Sequence, residues 1–117
     1  LGPKPKALLL SALAGCTGMD VISILKKMRV DVERFSVSVD AEQTEEHPKR
    51  YTSAVIRYEL WGPGLEDKAK KIHRAVSLSE ERYCGVNATL KPSMDISSEI
   101  LVNDAPLALP ADEAQEE

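Results

Sequence analysis

Residues 6–28 read KALLLSALAGCTGMDVISILKKM, and this stretch decides the fold. It contains no proline, and the helix formers Ala, Leu, Lys and Met dominate it. Pro5 precedes it, a favourable residue for starting a helix. Lys26, Lys27 and Arg29 cluster at its C-terminal end, where cations complement the helix dipole. The first half is apolar on every face: Leu8, Leu9, Leu10, Ala12, Leu13 and Ala14. A helix of that kind is expected to be buried on all sides. The second half turns amphipathic, with Val21, Leu25 and Met28 on one stripe.

A helix of that length spans roughly 34 Å, whereas a 100-residue domain has a radius of gyration of about 13 Å. One small domain cannot easily cover it, so a second copy of the chain is expected to do so. Gly15 and Gly18 fit that expectation, because a residue without Cβ lets another backbone approach. The alternative is a helix wrapped by its own sheet.

The rest of the 117 residues supplies that sheet. Residues 32–41 alternate, with Phe35, Val37 and Val39 opposite Arg34, Ser36, Ser38 and Asp40, as in a half-buried strand. Residues 51–61 alternate again, with Ala54, Ile56, Tyr58 and Leu60 on the apolar side, and the two strands are expected to pair as a hairpin. Gly62, Pro63 and Gly64 break the chain. A second helix is expected over 65–78, burying Leu65, Ala69, Ile72 and Val76, with His73 at the boundary of that stripe. Ser77 and Glu80 have capping-box spacing, so a new helical turn is expected to end at Cys84 with Gly85 as its stop. Residues 86–96 read as a third strand with Pro92 at an edge, and 100–102 as an extension of the sheet. The fold class is therefore α+β: a long central helix and a second helix wrapped by an antiparallel sheet. One domain over 1–103 is expected, followed by an acidic tail over 104–117 with disorder-like composition.

Composition narrows the function. Hydrophobic residues make up 43% and charged residues 29%, a soluble globular balance, and the net charge is −4. The acids Asp104, Asp112, Glu113, Glu116 and Glu117 lie in the tail, so the body is near neutral and offers no basic patch for nucleic acid. The uninterrupted apolar run is shorter than the ~20 residues of a membrane span, and no cleavable signal pattern follows it. No membrane partner and a cytoplasmic location are the expectations. The two cysteines, Cys16 and Cys84, form no CxxC pair and no Cys/His cluster, so neither a disulfide scaffold nor a metal site is expected.

Cys16 lies in the apolar helix, and a free cysteine there packs by default as a small hydrophobe. Three features favour a functional thiol. Asp20 stands four residues on, on the same helix face. An acid inside such a helix needs a partner or a pocket open to water. Ser23 continues the polar side. Asp20 by itself disfavours a thiolate at Cys16, so an activating base would have to come from elsewhere.

The run from Gly2 to Pro5, followed by Leu8 to Asp20, resembles the central helix of the OsmC/Ohr family, the osmotically inducible and organic hydroperoxide resistance proteins. Cys84 in Tyr83-Cys84-Gly85-Val86 resembles that family's second cysteine. The likeness covers residues 2–102. It implies an intertwined homodimer, two long helices back to back with sheets around them, and thiol-dependent reduction of organic hydroperoxides at the dimer interface. By the resemblance Cys16 would be the peroxidatic thiol and Cys84 the resolving one, with no bound cofactor and an external dithiol as reductant. Lys6-Ala7-Leu8 stands where peroxidase members carry a glutamate. Their activating arginine lies in a strand upstream of the helix, and Cys84-Gly85 replaces their Cys-Pro. Lys4 and Lys6 are candidate substitutes for the missing positive charge. These departures keep a second reading open, a non-enzymatic OsmC-like dimer that binds an apolar ligand or senses redox state. A third reading is a structural dimer whose cysteines merely pack.

Overall fold

The computed structural model describes residues 4–107. Helix α1 (Ala7–Lys27) opens the fold, and strands β1 (Arg34–Gln43) and β2 (Tyr51–Trp61) follow as the expected antiparallel hairpin, Val37 opposite Tyr58 and Val39 opposite Ile56. A 3-10 turn (Leu65–Lys68) leads into α2 (Ala69–Leu78), which widens into a π-helical turn (Ser79–Tyr83). Helix α3 (Gly85–Leu90), strand β3 (Asp95–Val102) and the short β4 (Ala105–Pro106) complete a sheet of order β1-β2-β3-β4. The fold is α+β as expected, with the helices packed on one sheet.

Helix α1 ends without a glycine. Arg29 takes the left-handed conformation at φ 62°. Its N–H donates to the Lys26 carbonyl at 3.0 Å, and the Val30 N–H donates to Leu25 at 2.9 Å. This is the Schellman pairing, and it places buried Val30 against buried Leu25. The buried face of α1 is Leu13, Thr17, Gly18, Val21 and Leu25. Leu13, Val21 and Leu25 join Ile56, Tyr58 and Leu60 of β2, Ile72, Ala75 and Val76 of α2, and Ile100 and Val102 of β3 in one core.

Burial of α1 on all sides is not what a single chain achieves. Leu8, Leu9 and Met19 are 48%, 46% and 76% exposed, and Ala12 and Gly15 lie on the same open side. The two glycines also divide. A Cβ on Gly15 would meet nothing within 4 Å, whereas one on Gly18 would lie 2.9 Å from Val37 Cγ1. Gly18 therefore serves the approach of α1 to its own β1, and only Gly15 belongs to the open face. Taken whole, α1 is long and apolar enough by length and composition to cross a membrane. The apolar run alone understated this. Its Leu13, Val21 and Leu25 are nevertheless buried in the core beneath it.

Several local expectations are corrected. The sheet is mixed, because β2 and β3 pair in parallel. The chain crosses over through α2, the π turn and α3 between them, and such a crossover returns it to the same end of the sheet. Residues 85–90 are helix rather than strand. Val86 and Leu90 pack on the core while Ala88 is exposed, so the inward spacing is four and not two. Pro92 consequently falls in the turn before β3 rather than on a sheet edge. Ser77 caps nothing, because α2 continues through Leu78. At the C-terminal end the fold runs past 103. Asn103 and Asp104 adopt positive φ (50° and 69°) in a two-residue hairpin turn to β4, a conformation these residues tolerate well. The remainder of the expected tail, 108–117, lies outside the described residues.

Candidate active site

The π turn is where the two cysteines meet. Cys16 projects from the middle of α1, and Cys84 sits between the π turn and α3, as the residue that caps α3: the Asn87 N–H donates to Cys84 Sγ at 3.3 Å. The two sulfurs and one carboxylate oxygen of Asp20 all lie within 4.8 Å of one another. Both thiols are free. Cys16 is half-buried and Cys84 is 3% exposed. Widened turns of this kind recur at functional sites because they re-aim side chains that a regular helix would misplace.

The polar surroundings come from four elements, α1, the π turn, β2 and β3. Ser79, fully buried in the π turn, shares its one hydroxyl proton between two acceptors, the Thr17 carbonyl at 3.3 Å and Asp20 Oδ2 at 3.4 Å. Thr17 Oγ1 donates back to the Leu13 carbonyl at 2.8 Å. Tyr58, fully buried on β2, donates its hydroxyl to Glu80 Oε2 at 2.6 Å, and Ser98 donates to Glu80 Oε1 at 3.4 Å.

Burial pushes the Cys84 thiol up to about 11, and the neighbouring Cys16 thiol adds to the effect. Cys84 therefore holds its proton at neutral pH. Burial likewise raises the Glu80 carboxyl, partly offset by the Tyr58 and Ser98 hydroxyls. The Tyr58 hydroxyl is raised by burial first and by the adjacent Glu80 second.

Both sequence-selected residues, Cys16 and Cys84, are thus brought together within one chain, with Asp20 beside them. Lys6, a candidate for supplying positive charge, is not part of this cluster. It stands ten residues along α1 from Cys16, about 15 Å away, where its Nζ donates to Gln43 Oε1 and to the Lys49 carbonyl. His73 sits half-buried on α2, as its boundary position predicted. Sequence reading missed Ser79, Tyr58, Glu80 and Asn87. Only Ser79 and Glu80 gave a signal, as polar residues near the end of a helix, and Tyr58 was legible as core alone. Cys16, Asp20 and Cys84 converge from α1 and from the far end of the π turn, a juxtaposition that spacing along the chain does not encode.

A cavity of about 510 Å³ opens beside Asp20, lined also by Ser23, Ile24, Lys27, Met28, Leu78 and Tyr83. It adjoins the thiol pair without containing it.

A family model described as OsmC-like protein matches residues 1–99. Protein YhfA of Escherichia coli K12 is 38% identical over 95 residues, which cover 81% of this chain and 69% of YhfA. A hypothetical protein of Aquifex aeolicus VF5, of known crystal structure, is 38% identical and superposes with a TM-score of 0.75, over 87% of this chain and 76% of that one. The organic hydroperoxide resistance protein OsmC of Legionella pneumophila shares the fold at 14% identity and a TM-score of 0.66, over 86% and 71% of the two chains.

Proposed function

The chain belongs to the OsmC-like protein family, and from this premise we propose that it is a thiol-dependent peroxidase that reduces organic hydroperoxides, with Cys16 peroxidatic and Cys84 resolving. One observation carries the reading: two free sulfurs, distant in sequence, lie within 4.8 Å of each other.

The chemistry runs in three balanced steps. The Cys16 thiolate attacks the distal peroxide oxygen; the O–O bond breaks, Cys16 becomes a sulfenic acid, and the alkoxide leaves as the alcohol after taking a proton. Cys84 then attacks the Cys16 sulfur, a disulfide forms, and hydroxide leaves as water with the proton that Cys84 gives up. Asp20 is the carboxylate within reach of that proton. An external dithiol finally reduces the disulfide by thiol exchange and becomes a disulfide itself. Closing two sulfurs from this separation to a bond of about 2.05 Å needs side-chain rotation and a small approach of α1 and the π turn. Half-burial of Cys16 gives a peroxide access, and the apolar residues of α1 favour an organic peroxide over hydrogen peroxide.

The same reading makes the protein a homodimer. Leu8, Ala12, Gly15 and Met19 recur at helical spacing on the open side of α1, and a second copy of α1 laid against them would cover this stripe. The substrate is then a small apolar hydroperoxide, without nucleic acid or membrane as partner, and the place of work is the cytoplasm, where dithiol reductants keep such thiols reduced.

The test is intact mass and free-thiol titration of the reduced protein, before and after one equivalent of cumene hydroperoxide. The expected result is loss of both thiols and of two hydrogens, without an intersubunit crosslink, while Cys84→Ser stops at a sulfenic acid on Cys16. Survival of both thiols overturns the proposal. The second reading is a non-enzymatic dimer that holds an apolar ligand. It is favoured by the cavity beside Asp20, which the thiols do not line, and it predicts ligand binding unaffected by Cys16→Ser.

A further inference from the structure

We infer that Cys16, Asp20 and Cys84 form a binding site for a thiophilic divalent cation of the zinc class. One donor atom from each lies within 4.8 Å of the other two. Cys16 and Asp20 are four residues apart on α1, the spacing at which a helix presents two ligands to one ion. Cys84 closes the set from the opposite side, at the end of the π turn. Two sulfurs and one carboxylate oxygen suit zinc, whereas magnesium and calcium take oxygen alone. With Zn–S of about 2.3 Å and Zn–O of about 2.0–2.2 Å, tetrahedral donors stand roughly 3.5–3.8 Å apart. The three side chains therefore need to close by little more than about 1 Å. Three protein ligands leave the fourth position to water or an incoming small molecule.

The supporting contacts are of the kind that orient metal ligands. The Asn87 N–H already points at Cys84 Sγ (3.3 Å), and the one hydroxyl proton of buried Ser79 is shared between Asp20 Oδ2 (3.4 Å) and the Thr17 carbonyl (3.3 Å). Binding is an exchange without electron transfer. Two S–H bonds are lost and both protons go to solvent; two metal–sulfur bonds and one metal–oxygen bond form. The ion occupies the reduced thiol pair and shields it from peroxide; in the metal-free chain a hydroperoxide takes the two electrons of the pair and leaves as alcohol and water, and the resulting disulfide has no thiolate left to hold the ion. The inference requires only these three side chains and goes beyond the peroxidase reading.

The experiment is an anaerobic titration of the reduced full chain with Co²⁺, followed by displacement with Zn²⁺. A thiolate-to-cobalt charge-transfer band saturating at one ion per chain is expected, with tetrahedral bands in the visible. Cys16→Ser and Cys84→Ser should abolish the charge-transfer band or strongly reduce it. Asp20→Asn should weaken zinc binding by about 100-fold, since even supporting contacts around a metal cost 10–100-fold, and Asp20→Glu should recover part of that loss. The wild-type protein oxidised to the disulfide should bind no cobalt, a control that needs no substitution. Absence of the charge-transfer band, or undiminished affinity in Asp20→Asn with native circular dichroism, overturns the site. A protein that binds cobalt, yet whose metal-free reduced form does not react with cumene hydroperoxide, keeps this inference and loses the peroxidase reading; the opposite pair of results does the reverse.

Discussion

Gly18 on α1 meets Val37 on β1 so closely that a Cβ on the glycine would lie 2.9 Å from Val37 Cγ1. The neighbouring Gly15, one turn back, has open space around it. The two are therefore expected to respond in opposite ways to the same substitution. Gly18→Ala gains up to about 1 kcal/mol of helix propensity but overpacks the contact with β1, at a cost of about 1–3 kcal/mol. Net destabilisation in urea unfolding is expected. Gly15→Ala stabilises an isolated chain by up to about 1 kcal/mol. In a dimer joined through the open face of α1 it should instead weaken association, which sedimentation velocity at several concentrations would register.

The left-handed Arg29 closes the Schellman pairing of α1 at a conformation that disfavours a residue with a Cβ. Arg29→Gly is expected to stabilise the fold by about 1 kcal/mol, raising Tm by about 4 °C for a domain of this size. A Tm that falls would show that the arginine side chain contributes more than its backbone costs.

Burial first, and the Cys16 thiol second, push the Cys84 thiol up to about 11 from an ordinary value of 9.0. Its thiolate fraction at neutral pH is then well below that of a free cysteine. Alkylation of Cys84 in a Cys16→Ser background, followed by peptide mass, should be slow at neutral pH and climb until pH approaches the Cys84 value. Removing Cys16 lowers that value somewhat, because one of its two main causes is gone. The raised thiol also makes the folded state bind more protons than the unfolded one. Its contribution to stability is complete below 9.0 and is lost as pH rises through about 11.

Glu80 is the acidic counterpart. Burial raises its carboxyl in the folded state, so its contribution is complete below the ordinary value of 4.5 and is lost as pH rises through the folded value. Glu80→Gln should therefore gain on the wild type as pH rises from 4 toward 8 in paired urea titrations. Constant separation of the two curves would count against a raised Glu80. Tyr58→Phe removes the 2.6 Å hydrogen bond from beneath the same carboxylate, with an expected loss of about 1–3 kcal/mol. Its raised hydroxyl predicts no tyrosinate absorbance from Tyr58 in the native protein at pH 10.

Legibility in the sequence followed the length over which a pattern could average. Helix α1 and the hairpin of β1 and β2 span many residues each, and their periodicities identify them. Residues 85–90 offered only Val86, Ala88 and Leu90, a set compatible with either period until burial separates them. Arg29 and the Asn103-Asp104 turn escaped because no glycine marked the left-handed positions. The parallel pairing of β2 and β3 was not legible either, because strand direction follows from the whole crossover and no single segment encodes it.

The sequence by itself determined an apolar helix carrying Cys16 and Asp20 on one face, a hairpin to support it, and a second cysteine beyond a second helix. Those are properties of local spacing, and local spacing is what a chain carries before it folds. Only the tertiary structure decided that Cys84 returns to Cys16, that Ser79 reaches Asp20, and that Gly18 faces β1 while Gly15 faces outward. These depend on how far the π turn widens and on which stripe of α1 the sheet covers. Both are outcomes of packing among residues far apart in sequence, summed over the whole core.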